Sequence, residues 1–85
     1  MNKQIALYQL SDFARQLQED ERSPATIENY LRHIRAFAAW ARGQAVTKDL
    51  ATQWKEHLIS QYRPGTVNTM LVSLNRFFGF LGWND

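Results

Sequence analysis

The 85-residue chain has no cysteine, only two prolines and only four glycines. Without cysteine there is no disulfide framework and no thiolate metal site. No apolar run approaches the roughly 20 residues a membrane helix needs. The opening MNKQIALYQL lacks the charged, apolar and small-residue regions of a signal peptide. These absences lead to the expectation of a cytoplasmic protein that uses no membrane. Proline and glycine are too sparse for a long linker or a low-complexity segment. Sustained alternation of apolar and polar residues is also missing, so no strands are predicted.

What remains is helix. Hydrophobic residues make up 45% of the chain, enough for one small core and too little chain for two domains. Ser23–Gly43 reads as a complete helix. Ser23 suits the cap, and Pro24 suits the first turn, where its missing N–H costs nothing. Ile27, Tyr30, Leu31, Ile34, Phe37, Ala38 and Ala41 share one face. Gly43 is the expected left-handed stop. Before it, Leu10, Phe13, Ala14 and Leu17 mark a helix near 7–20, starting as early as Gln4. Residues 1–8 are expected to fray. After it, Thr47 caps a helix near 48–61 with Leu50, Ala51, Trp54, Leu58 and Tyr62 on one face. A fourth helix near 64–81 buries Val67, Met70, Leu71, Leu74, Phe77, Phe78 and Leu81. The expected fold is all-α, a compact bundle of four or five helices.

Acidic residues are scarce where the two proline-headed helices lie. Residues 23–43 and 63–83 carry five arginines (Arg32, Arg35, Arg42, Arg63 and Arg76) and one acid, Glu28. The rest of the chain carries five basic residues against seven acids. The net charge of +2 is therefore an excess on two segments, partly cancelled elsewhere.

The same two segments form an internal repeat. At an offset of 40, Pro24 matches Pro64, Thr26 matches Thr66, Leu31 matches Leu71 and Phe37 matches Phe77. Ile27/Val67, Ile34/Leu74 and Trp40/Phe80 are conservative pairs. Corresponding exposed faces follow: Glu28, Asn29, Arg32 and Ala36 on the earlier helix, Asn68, Thr69, Val72 and Arg76 on the later one.

Ser23-Pro24-x-Thr26-Ile27-x-x-Tyr30, followed by Leu31, Ile34, Phe37 and Trp40, resembles the second helix of the core-binding domain of tyrosine recombinases, the phage-integrase family. Pro64-Gly65-Thr66-Val67-Asn68, with Leu71, Leu74, Phe77, Phe78, Phe80 and Leu81, is similar to its fourth helix, and Leu10, Phe13 and Leu17 to its first. The resemblance spans nearly the whole chain. It implies a SAM-like N-terminal domain that forms half of a clamp on recombination-site DNA. A separate C-terminal domain would carry the catalytic tyrosine. On that reading the chain, 1–85, is a single DNA-binding domain, either an excised fragment that lacks its catalytic partner or a lone binding module.

The resemblance also places residues. Asn29 and Arg32, with Glu28, fall near DNA on the second helix; Asn68, Thr69 and Ser73 do so on the fourth. Arg35 and Arg76 lie further along and suit phosphates. Thr26 and Thr66 sit in the first turns, within reach of backbone groups or phosphate. The implied partners are double-stranded DNA, the absent catalytic domain and other protomers of a recombination complex. Two departures stand out. Arg63 replaces the usual capping Ser or Thr, and Glu28 puts a negative charge on the DNA side.

Independent chemistry is not expected. His33 and His57 lie on different helices with no cysteines, so no metal site or other cofactor is expected, and each histidine is read as solvated. Tyr30 is on the apolar face, and neither Tyr8 nor Tyr62 has the basic cluster that phosphoryl transfer needs. Glu28 and Arg32 have the i, i+4 spacing of a helix ion pair. The alternative function is a helical protein-interaction domain that dimerises through the apolar Phe78–Trp83 end.

Overall fold

The computed structural model describes residues 4–83. Four helices occur in order: α1 (Leu7–Glu19), α2 (Pro24–Ala41), α3 (Lys48–Gln61) and α4 (Pro64–Leu81), with no strand among the described residues. The expected helices are all present, and four is the count. Part of the expected frayed start, residues 1–3, lies outside the described residues. Gln4 is outside α1, and its Nε2 donates to the Gly43 carbonyl at 2.9 Å.

Local chemistry accounts for most boundaries. Ser23 Oγ and Thr47 Oγ1 accept from the N–H groups of Thr26 and Leu50, closing the first turns of α2 and α3. Arg63 has no such bond, so α4 starts on Pro64 alone. At α1, Gln9 Oε1 accepts from the Ala6 N–H at 2.7 Å. One stop differs from expectation. α2 ends with Arg42 itself left-handed (φ 53°), ahead of Gly43 (φ 78°). α1 ends with Glu21 at φ 60°, its N–H bonded to Gln18 O while the Arg22 N–H bonds to Leu17 O. That is a Schellman turn with glutamate at the position glycine favours. Gly82 fills the equivalent place after α4, with φ 79°.

The core draws on all four helices. Ile34, Phe37, Leu58 and Phe77 are fully buried, with Phe13, Leu17, Leu50, Trp54 and Leu74 around them. Tyr62 was expected on the buried face of α3. It is the residue after that helix ends, where the chain turns extended, and it is exposed.

The aromatic contacts repeat. Phe77 and Phe80 of α4 meet Phe13 of α1 at 5.3 and 5.4 Å, while Phe37 and Trp40 of α2 meet Trp54 of α3 at 5.5 and 5.2 Å. Each helix pair thus sends its second helix across to the first helix of the other pair. The α1–α2 and α3–α4 hairpins are related by an approximate two-fold exchange. The 40-residue sequence repeat is the linear trace of that relation.

Candidate nucleic-acid interface

α2 and α4 cross at equivalent positions. His33 Nδ1 lies 2.9 Å from Ser73 Oγ, and the two residues are 40 apart. Ser73 Oγ also donates to the Thr69 carbonyl at 3.2 Å. A hydroxyl has one proton, so with that proton on the Thr69 carbonyl the bond to His33 assigns the tautomer that carries its hydrogen on Nδ1 and donates to Ser73 Oγ. Burial lowers the His33 pKa from its ordinary 6.5, and the neighbouring Arg32 charge lowers it further.

This crossing sorts the expected contact residues. Ser73 does not reach solvent. It is 1% exposed and committed to His33 and Thr69, so its expected place on the DNA side is corrected to an inter-helix link. The resemblance put it in the exposed set, but α4 turns that position into the crossing with α2. His33 was read as a solvated side chain; it is half-buried and bonded. The signal for both was already in the repeat, because an offset of 40 pairs them.

One turn either side of the crossing, the exposed residues of the two helices flank it. Asn29 and Ala36 precede and follow His33 by four and three residues, with Arg32 beside it; Thr69 and Arg76 stand in the same relation to Ser73, with Val72 beside it. Arg76 lines a cleft of about 310 Å³ together with Tyr30 of α2, Asp20 and Arg22. The C-terminal half of α4 therefore runs beside the N-terminal half of α2.

The remaining candidates lie off this strip. Arg35 is two residues beyond His33, on the opposite flank of α2. It borders a groove with Leu7, Leu10 and Ala14 of α1. Its Nη1 is 3.8 Å from Glu28 Oε1, so the pairing runs from Glu28 to Arg35 and not to Arg32 as the spacing suggested. Asn68 borders the corresponding groove on the other hairpin, with Lys55 and Ile59 of α3. Thr26 is half-buried, and its Oγ1 accepts from Ser23 Oγ at 2.9 Å, which serves the cap. Thr66 is exposed in the first turn of α4. Thr69 is exposed, although its hydroxyl donates back to the Gly65 carbonyl at 3.0 Å.

The apolar end of α4 is largely covered. Phe77 and Phe78 are buried, Trp83 packs on Phe78 at 5.8 Å, and Phe80 leans on Phe13 while staying 39% exposed. No described helix is long and apolar enough to cross a membrane.

Among known families, the phage integrase N-terminal SAM-like domain matches residues 10–85. The chain belongs to that family. Searches of curated proteins and of solved structures returned no match. The integrase domain assignment covers α1 from Leu10 onward, the other three helices, the His33–Ser73 crossing and both flanking faces. It gives the chain a role within the tyrosine recombinase family, as its N-terminal SAM-like domain.

Proposed function

We propose that this integrase domain is the DNA-binding module of a site-specific tyrosine recombinase and holds recombination-site DNA against the crossing of α2 and α4. The observation that carries the reading is the meeting of two equivalent exposed faces at one place. Asn29 and Arg32 come from one helix and Thr69 and Arg76 from the other, beside the His33–Ser73 link. Arg32 and Arg76 supply phosphate contacts, which position the protein without reading sequence. Asn29 and Thr69 reach base edges, asparagine being suited to a bidentate pair with adenine. Arg35 and Asn68 act at the rims, and Thr26 and Thr66 add contacts at the two helix starts. The catalytic domain and neighbouring protomers are the protein partners.

The test is titration of duplex DNA by the chain at several salt concentrations. Binding should weaken steeply with salt, by a slope of about 0.9 per phosphate neutralised. Arg32→Glu and Arg76→Glu should each weaken binding to every duplex, whatever its sequence, and flatten that slope. Salt-independent binding, or two charge reversals without effect, would remove this face from the interface. The dimerisation reading predicts instead a mass that rises with concentration in sedimentation. The burial of Phe77 and Phe78 argues against that surface.

A further inference from the structure

The crossing holds one more group than the arginines need. His33 has spent one ring nitrogen on Ser73, inside the helix pair. Its other nitrogen, Nε2, is at the far edge of a half-buried ring whose helix neighbours Asn29, Arg32 and Ala36 are all exposed. In the neutral ring with Nδ1–H fixed, Nε2 carries a lone pair and no proton. The charged groups around it are few. On α2 itself Arg32 adjoins it, while Glu28 and Arg35 face the other flank and pair with each other. On α4, Arg76 is one turn beyond Ser73. From the end of α1, Asp20 and Arg22 share the Arg76 cleft. From α3, His57 stacks on Trp40, two turns along α2.

We propose that His33 is a phosphate ligand of the bound DNA: on binding it takes up a proton at Nε2 and donates that hydrogen to a backbone phosphate oxygen between Arg32 and Arg76. The proposal rests on the DNA-binding reading above. The physical logic is a change of partner charge. In the free chain, partial burial and Arg32 both oppose an imidazolium. A phosphate at the crossing supplies the missing negative charge and accepts the new N–H. Ser73 fixes which nitrogen is left to do this, so it acts as a positioning residue. Binding that takes up one proton tightens as pH falls. The gain is complete below the His33 pKa of the free chain and is lost above that of the complex.

The experiment uses the whole chain and a short duplex of mixed sequence at constant ionic strength, titrated from about pH 8 to about pH 5.5 across the histidine range. Wild-type affinity should rise on acidification, by up to about tenfold per pH unit for one proton. His33→Gln should bind with a flat pH profile, while His57→Gln keeps the wild-type slope. Imidazole resonances of the unaltered chain should show the His33 pKa higher with duplex than without, a readout that no folding defect in a variant can mimic. A flat wild-type profile with binding still dependent on salt and on Arg32 and Arg76 overturns the proposal and leaves the DNA reading intact. So does an unmoved His33 pKa in the complex, or a slope that survives His33→Gln. Absence of any binding to the duplex at low salt overturns both.

Discussion

Arg63 and Ser23 stand at the caps of equivalent helices in nearly the same backbone conformation, with φ, ψ of −72°, 154° and −67°, 152°. Ser23 closes its helix with a side-chain bond and Arg63 does not. The backbone is thus already set for a serine, and Arg63→Ser should stabilise the chain by about 1 kcal/mol. For a domain of this size that raises Tm by about 4–8 °C, measurable by thermal melting. Glu21 offers a second case. It is left-handed at the end of α1, and its charge sits at the unfavourable end of the helix dipole. Glu21→Gly removes both costs, and its urea midpoint should rise by an amount equivalent to about 1 kcal/mol.

At the scale of helices, α2 and α4 do the same work in the core. Phe37 and Phe77 are both fully buried, and each meets an aromatic ring from the first helix of the other hairpin. Truncating either to alanine should cost about 3–5 kcal/mol, a large share of what so small a domain has. Comparable losses in chemical denaturation are the expected result. The polar link between the same helices has its own signature. His33 has a lowered pKa in the folded chain, so the unfolded chain binds more protons as pH falls through the ordinary value of 6.5. Stability contributed by the neutral ring is present above that value and is lost toward the lower, folded pKa. Without DNA, acidification through this window should lower Tm, and His33→Gln should remove that part of the dependence. Here the legibility of the chain divides. Periodicity and caps located all four helices, because 3.6-residue spacing and side-chain oxygens act locally. The orientation of Ser73 depends on how helices cross, which no local pattern encodes, while Glu28 reaches Arg35 two turns along its own helix where the i, i+4 spacing pointed to Arg32. Asn68 was grouped with Thr69 on one polar face and Arg35 was set further along with Arg76 for phosphates, yet Asn68 lies toward α3 and Arg35 toward α1.

The whole molecule is two hairpins that complete each other. Phe13 meets Tyr30 within its own hairpin but is covered from α4, and Trp54 is covered from α2, so each hairpin's aromatic core is completed by the other. Peptides spanning 4–43 and 44–83 should each show little helix by circular dichroism alone, since short helices are marginal without tertiary packing. Mixed at high concentration, they should regain it together. A half that folds unaided would show that the exchange of aromatic rings is not what holds the bundle.

The His33–Ser73 bond has a consequence for how such a chain can arise. A residue on a two-fold axis faces its own counterpart. In two identical halves, the two sides of that bond would have to be the same side chain. A pair of serines is shorter than the ring and hydroxyl that span the helices here, and a pair of imidazoles is bulkier. At this axis the two halves of the doubled hairpin are unequal. One half of this chain supplies the ring and the other the oxygen.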